Sequence, residues 1–226
     1  MTTFGVTEKR ADCWKVSDGG IADFIIPGTP FAVPGREITI EQDYEEYRRT
    51  ELAFNNGLLM HDGFLFHASA LAYKGKGFCF CGPSGMGKST HTALWKEYFG
   101  SAVTVIDDDK PALRYIDGRW RVFGTPWCGK TDMTLNVGYP LEAVIMLARG
   151  ADNVNEGLSD FKKLNYLSSC VTGPLTGKNR LVSLQLLDSL INTVPVWRLC
   201  CKANTDAVKT VYNEIVRRGI INENQG

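Results

Sequence analysis

The sequence lacks several features that would assign it quickly to a class of protein. Its 226 residues carry 25 basic and 25 acidic side chains, so no net field favours nucleic acid or an anionic membrane surface as a partner. The seven cysteines are odd in number and include no CxxC pair, so they indicate neither a disulfide framework nor a zinc site. We expect most of them to be small core residues in a reducing compartment.

Long hydrophobic runs are also missing. No segment approaches the roughly 18 uninterrupted apolar residues of a membrane span, and the N-terminal stretch MTTFGVTEKR lacks the apolar core of a signal peptide. With 44% hydrophobic residues, the chain has enough apolar side chains to bury a sizeable core. We therefore expect a cytoplasmic globular protein, with a small β-rich appendage at residues 1–45 and one larger domain at residues 46–226.

The most informative stretch is GFCFCGPSGMGKST, residues 77–90. Gly82, four further residues, Gly87, Lys88 and Ser89 give the GxxxxGK[ST] spacing of a phosphate-binding loop. Glycines permit positive φ, which lets successive backbone N–H groups converge on an anion. Lys88 is predicted to reach the β- and γ-phosphates, and the Ser89 hydroxyl to ligate Mg²⁺. The predicted nucleotide-binding residues are Gly82, Pro83, Ser84, Gly85, Met86, Gly87, Lys88, Ser89 and Thr90.

The flanking patterns are those that such a loop requires. Residues 78–81 predict a strand before the loop, and residues 90–99 predict a helix after it. We expect Ala93, Leu94 and Trp95 to face inward on that helix. Strand, loop and helix together favour a nucleotide-phosphate site over a chance glycine-rich turn.

Three consecutive carboxylates, Asp107, Asp108 and Asp109, follow an apolar strand predicted at residues 102–106. Adjacent acids repel one another unless a cation offsets their charge, and Mg²⁺ prefers oxygen ligands. A general base for a hydroxyl nucleophile also belongs at such a strand end. The alternative is an acidic turn, since aspartate favours turns.

His67 lies in a segment, residues 64–73, that predicts a strand rich in small residues. KGKG at residues 74–77 predicts a tight turn into the strand before the phosphate loop. In the resulting hairpin, His67 would lie near the end of the second strand, close to the phosphates. A half-buried histidine within a sheet is the alternative.

The second half of the chain predicts further strands and helices. Asp117 and Gly118 join two alternating runs, a type I′ hairpin signal that favours a mixed sheet. Residues 124–133 predict a loop, in which Lys130 could neutralise a phosphate or carboxylate and Trp127 could be a lid or a core anchor. The remaining predicted elements are a buried strand at 141–148, helices at 158–170 and 181–192, a strand at 194–201 and a helix at 205–218.

Five stretches together resemble one family: FHASA at 66–70, GPSGMGKST at 82–90, VIDDDKPAL at 105–113, DGRWRVFGTPWCGK at 117–130 and VPVWRL at 194–199. They are similar to the catalytic domain of HPr kinase/phosphorylase, and more specifically to the smaller HPr-kinase-related proteins of bacteria. The resemblance covers about residues 45–215. It implies an α/β fold with a mixed parallel and antiparallel sheet, like that of phosphoenolpyruvate carboxykinase. It also implies ATP and Mg²⁺ as cofactors, with phosphoryl transfer to a hydroxyl, typically of a serine.

The resemblance also implies roles for individual residues. His67 matches the family's histidine near the transferred phosphate, and Lys88 and Ser89 match its phosphate and metal residues. Asp108 and Asp109 match its paired aspartates, with Asp108 expected to be the base and both expected to assist Mg²⁺. Lys130 is expected to complete the charge clamp. GTPWCGK replaces the glycine-rich segment of the HPr enzymes, so we do not expect HPr itself as the substrate.

The acceptor of the phosphate stays open at this point: a protein, a peptide or a small molecule. So do the preference for ATP or GTP and homo-oligomer formation. Two other functions use the same loop. A regulatory module would bind a nucleotide without turnover, and a phosphorylase or carboxykinase-like enzyme would transfer phosphate by a different reaction.

Overall fold

The computed structural model describes residues 4–6, 10–14, 40–128, 133–173 and 177–222, with side chains from Arg48 onward. Lys130 lies outside the described residues, as does most of the β-rich appendage expected at residues 1–45. In that region two strands are described, β1 (Phe4–Val6) and β2 (Arg10–Trp14), which pair antiparallel.

The rest is an α/β structure. Its described helices are α1 (Ile40–Leu59), α2 (Lys88–Phe99), α3 (Asp160–Ser168), α4 (Gly177–Thr193) and α5 (Thr205–Arg217). Its described strands are β3 (Gly63–Leu65), β4 (Ala68–Tyr73), β5 (Lys76–Cys81), β6 (Val103–Asp107), β7 (Ala112–Ile116), β8 (Arg119–Phe123), β9 (Gly138–Arg149), β10 (Val154–Glu156) and β11 (Val196–Cys201).

Strands β3 to β11 form one mixed sheet, which confirms the predicted architecture. Its main path runs β3-β7-β8-β9-β5-β4-β6, and β11 pairs with β9 on the far side from β5. β5, β9 and β11 are parallel, and β4 is antiparallel to both β5 and β6. The carboxyl ends of β5, β6, β9 and β11 therefore meet at one edge of the sheet, together with the start of β4. We call this the carboxyl edge.

Both predicted tight turns are present. Lys74 and Gly75 join β4 to β5 with φ of 50° and 74°, and Asp117 and Gly118 join β7 to β8 with φ of 51° and 78°. Positive φ at both central residues is the type I′ conformation, whose twist matches that of antiparallel strands. The β4-β5 turn fixes the register that brings the start of β4 to the carboxyl edge.

Side chains along β5 alternate between the two faces of the sheet, and each face packs against its own hydrophobic cluster. Phe78 and Phe80 face a cluster formed with α2 and α5, which includes Trp95 and Trp197. Cys79 and Cys81 face the opposite cluster, which includes buried residues of α3 and α4. Period-two alternation places successive side chains on opposite faces of the sheet. Cys128 is also buried, so the expectation of core cysteines is confirmed for most of the described ones.

The structure corrects three details of the predicted elements. Residues 64–73 form two strands, β3 and β4, because the chain passes at Phe66 and His67 from pairing with β7 to pairing with β5 and β6. The pattern of residues 43–56 predicts a helix that stops at Gly57, but α1 continues through Gly57 because Leu58 and Leu59 beyond it are buried in the core. Burial therefore outweighs the helix-breaking tendency of glycine.

The inward face of α2 also differs from the prediction. Ala93 is exposed and Leu94 is half-buried, whereas His91, Thr92 and Trp95 are buried. These three follow Lys88 at spacings of three, four and seven residues, the repeat of one helix face. Among the described residues, no helix is both long and apolar enough to cross a membrane.

Candidate functional site

The glycine-rich loop, residues 82–87, connects the end of β5 to the start of α2. Gly82, Gly85 and Gly87 all have positive φ, at 154°, 76° and 95°. A Cβ built at Gly85 or Gly87 would meet no heavy atom within 4 Å, so this side of the loop is open to a ligand. Pro83 has no N–H, and its carbonyl accepts a hydrogen bond from Met86 N at 3.1 Å. Positive φ at these glycines is compatible with the anion-binding nest predicted at the N-terminus of α2.

Lys88, the first residue of α2, folds back over the loop. Its Nζ donates to the Gly82 carbonyl at 3.2 Å, and only 7% of the residue is exposed. Burial lowers the pKa of Lys88, and the negative charge of Asp109 and Asp108 opposes that shift. The ammonium therefore lies against the loop, close enough to the acids at the end of β6 to feel their charge.

Asp107, the last residue of β6, holds the turn that follows it. Oδ1 accepts from the backbone N–H of Asp109 and Lys110, both at 2.9 Å, and Oδ2 accepts from Thr125 N at 2.8 Å. The Thr134 hydroxyl donates to Oδ2 at 3.3 Å. Complete burial raises the pKa of Asp107 to about 7, and the backbone hydrogen bonds oppose this rise. Asp107 thus holds the backbone of the turn that carries Asp108 and Asp109.

Asp108 belongs to a buried hydroxyl network. Ser69 Oγ, on β4, donates to Asp108 Oδ1 at 2.7 Å and lies 2.6 Å from Thr92 Oγ1 on α2. Ser69 and Thr92 are fully buried, and 5% of Asp108 is exposed. The hydrogen bond from Ser69 orients one carboxylate oxygen of Asp108, and the network connects β4, β6 and α2.

Asp109 lies at the rim of the site and contacts two cationic or potentially cationic groups. Lys110 Nζ donates to Oδ2 at 2.8 Å, and His67 Nε2 lies 3.4 Å from Oδ1. Burial tends to raise the pKa of Asp109, but hydrogen bonds from His67 and Lys110 lower it to about 2. Lys110 also lies 3.5 Å from Glu51 of α1. Asp109 is therefore ionised at neutral pH.

His67 sits in the gap between β3 and β4. Its backbone N–H donates to the Cys170 carbonyl at 2.6 Å, which brings the end of α3 against the site. A hydrogen bond from Cys81 lowers the pKa of the Cys170 thiol to about 7; burial opposes this, and the nearby charges of His67 and Lys88 favour it. The same hydrogen bond, with burial, raises the pKa of Cys81.

The predicted metal ligands supply hard oxygen donors. Asp108 and Asp109 offer carboxylate oxygens beside Lys88, and Ser89 offers a hydroxyl at the start of α2. Within the described residues, no group of three or more His, Cys, Asp or Glu side chains could hold a metal ion. Mg²⁺ typically takes one or two carboxylates plus substrate phosphates and water, so this donor set fits Mg²⁺ bound with a nucleotide.

Most of the predicted residues meet at the carboxyl edge: His67, the loop from Gly82 to Gly87, Lys88, Asp108 and Asp109. Ser89 is half-buried and Thr90 is exposed one position further along α2. Trp127 is 1% exposed and its ring lies 4.9 Å from that of Phe54, so it is a core anchor.

The sequence interpretation missed Ser69, Thr92 and the role of Asp107. A polar residue inside the apolar strand ASALAY was the available signal for Ser69. Thr92 lies three positions after Ser89, on the inward face of α2.

The comparisons with known proteins leave the family unassigned. No protein-family model matches the chain, and no curated protein matches it. Among solved structures, it is similar to the Hpr(Ser) kinase/phosphatase from Coxiella burnetii, at 14% identity and a TM-score of 0.40. That match covers 69% of this chain and 98% of the other. The similarity is distant and carries no argument about activity.

Proposed function

We propose that this protein is an ATP- and Mg²⁺-dependent kinase that transfers the γ-phosphate to a hydroxyl group. The observation that carries the proposal is the convergence at the carboxyl edge of three different chemistries. An open loop with three positive-φ glycines lies beside a buried lysine, and the end of β6, two strands from β5, carries two carboxylates whose charge acts on that lysine. Phosphoryl transfer needs this combination of anion cradle, fixed positive charge and general base.

Each residue has a role that follows from its position. The loop N–H groups and Lys88 would hold the phosphates, while Ser89 and Asp109 would ligate the metal. Asp108, oriented by Ser69, accepts the proton of the attacking hydroxyl. His67 borders the rim beside Asp109, where the transferred phosphate would pass. Bound Mg²⁺ would offset the charge that develops on the phosphate oxygens.

The proposed base, Asp108, favours turnover of the nucleotide over binding alone. A module that only binds nucleotide needs the loop and Lys88, but it has no use for a buried carboxylate held by a hydroxyl network. The acceptor class follows from the same reasoning, because a carboxylate base suits a hydroxyl nucleophile. We propose a serine of a protein or peptide, or a hydroxyl of a small molecule, as the acceptor.

The test combines calorimetry with phosphorus NMR. ATP with Mg²⁺ is titrated into the wild type, into Lys88→Ala and into Lys209→Ala, a control lysine exposed on α5. The wild type is then incubated with ATP, Mg²⁺ and serine-containing acceptors. We expect binding in the wild type and in Lys209→Ala, loss of binding in Lys88→Ala, and a new phosphoester signal.

Other outcomes separate the competing functions. Lys88-dependent binding with unchanged ATP over many hours would favour a regulatory module. Turnover that requires orthophosphate or oxaloacetate would favour a phosphorylase or a carboxykinase-like enzyme. No ATP binding by the wild type would contradict the proposal.

A further inference from the structure

A pocket of about 470 Å³ opens beside the glycine-rich loop, at the ends of β9 and β11. Its apolar walls include Leu94 of α2 and Leu147 of β9. Arg149, Lys202 and Ala203 lie around it and are exposed. The volume falls within the range of about 300–1,000 Å³ that is typical of small-molecule sites.

The pocket and the acids lie on opposite sides of the loop. β5 delivers the loop; β4 and β6 lie on one side of it, and β9 and β11 on the other. With strands about 4.8 Å apart, the end of β6 and the end of β11 each lie roughly 10 Å from the end of β5. A ligand whose terminal phosphate points toward Asp108 would therefore extend its other end toward the pocket.

The lining suits a nucleoside. Its apolar walls can pack against the faces of a planar base, and the two cations at its exposed edge can contact a π-face or a phosphate. None of the described residues that line it is an aspartate or a glutamate. The Arg149 guanidinium also donates to the Gly85 carbonyl at 3.4 Å, which connects the pocket to the loop.

We propose that this pocket binds the base and ribose of the nucleotide whose phosphates occupy the glycine-rich loop. The inference rests on the proposed function and assigns the nucleoside subsite of the same ligand. The phosphate acceptor occupies the other side, because it has to reach the γ-phosphate beside Asp108. Arg149, Leu94 and Ala203 thereby become determinants of nucleotide affinity.

The experiment compares ATP with inorganic tripolyphosphate, which has the three phosphates but no nucleoside. Calorimetry with Mg²⁺ is carried out on the wild type, on Ala203→Trp and on Ala93→Trp. Ala203→Trp introduces a large side chain into the pocket; Ala93→Trp makes the same change at an exposed site on α2 that does not line it. Circular dichroism and thermal melting confirm folding of each variant.

We expect the wild type to bind ATP at least about tenfold more tightly than tripolyphosphate, a difference of about 1.4 kcal/mol. Ala203→Trp should weaken ATP binding by a similar factor and leave tripolyphosphate binding within about twofold, since only the nucleoside is displaced. Ala93→Trp should change neither affinity.

Three results would overturn the inference without contradicting the proposed function. Equal affinity of the wild type for ATP and tripolyphosphate would do so without any variant. Unchanged ATP binding in folded Ala203→Trp would place the nucleoside elsewhere and leave the proposed kinase function intact. Equal weakening of both ligands would show that the substitution acts through the loop. Absence of binding of both ligands by the wild type would instead contradict the proposed function and the subsite together.

Discussion

The two flanks of the glycine-rich loop differ in how far their side chains are fixed before any ligand binds. On the acid flank, formed by the start of β4 and the end of β6, Ser69, Asp107 and Asp108 are buried. Ser69 donates a short hydrogen bond to Asp108, and Asp107 accepts hydrogen bonds from the backbone of the turn that follows it. On the pocket flank, formed by the ends of β9 and β11, Arg149 and Lys202 are exposed around an open volume.

This difference matches what each flank is proposed to do. A base must be held within a fraction of an ångström of its working position, so rigid packing on the acid flank contributes to rate. A nucleoside subsite supplies binding that is equal in the ground and transition states, which affects affinity more than rate. Changes on the acid flank should therefore lower turnover or stability, and changes on the pocket flank should raise KM for ATP.

The largest effect is expected from Asp108→Asn. Removing the base should slow phosphoryl transfer by about 10²–10³-fold, roughly 3–4 kcal/mol, because no carboxylate then accepts the proton of the attacking hydroxyl. The affinity for ATP should stay near that of the wild type, in contrast to Ala203→Trp. The measurement is single-turnover transfer to the acceptor found by NMR, with calorimetry on the same sample. A matching loss of ATP affinity would contradict the assignment of Asp108 as a base alone.

Asp107→Ala tests how much the Asp107 carboxylate contributes to the stability of the acid flank. It would leave the backbone N–H groups of Asp109, Lys110 and Thr125 without their present acceptor. We expect a loss of roughly 2–3 kcal/mol in the free energy of unfolding, because buried donors without acceptors are costly. Urea unfolding measures it, with Asp188→Ala, an exposed aspartate on α4, as the control. A loss no larger than that of the control would show that Asp107 does not stabilise the turn.

The sequence predicted the acid flank better than the pocket flank. The loop motif lies between a strand and a helix in continuous sequence, and Asp107 to Asp109 follow directly from the next predicted strand. Once β5 and β6 are parallel, their ends meet at the same edge. The pocket requires the ends of β9 and β11 to lie beside the loop, and the register of those strands depends on pairing between residues far apart in the chain.

Contacts between residues far apart in the chain also explain why the sequence did not predict the hydroxyl network. Ser69 is 23 residues from Thr92 and 39 from Asp108, and no local periodicity links these positions. Hairpin geometry predicts His67 near the loop. Its hydrogen bond to the Cys170 carbonyl was not predictable, because more than half of the domain's sequence separates the two residues. Lys130 lies outside the described residues, so its proposed part in the charge clamp stays a prediction.

Ser69→Ala should have a smaller effect than Asp108→Asn, because Asp108 keeps its carboxylate and loses only one orienting donor. We expect kcat to fall about tenfold, with KM for ATP unchanged, since a positioned base contributes to the transition state. Thr92→Val, which keeps the direct bond from Ser69 to Asp108, should reduce kcat less. If Thr92→Val is as slow as Ser69→Ala, the network supports packing in general and does not orient Asp108.

The smallest effect is expected from lowering the pH, which tests how much Asp109, at the rim of the acid flank, contributes to stability. The pKa of Asp109 is lowered to about 2 in the folded protein, below the value of 3.8 that it has when unperturbed. Its contribution to stability is therefore present above about pH 4 and is lost as the pH falls toward 2, because the unfolded chain takes up the proton first. At this partly exposed position the contribution is on the order of 1 kcal/mol. Unfolding in urea at several pH values between 2 and 5 should show a shallower loss of stability for Asp109→Asn than for the wild type. Parallel curves would mean that the contacts of Asp109 with His67 and Lys110 add nothing to stability, and that the rim is no more fixed than the pocket flank.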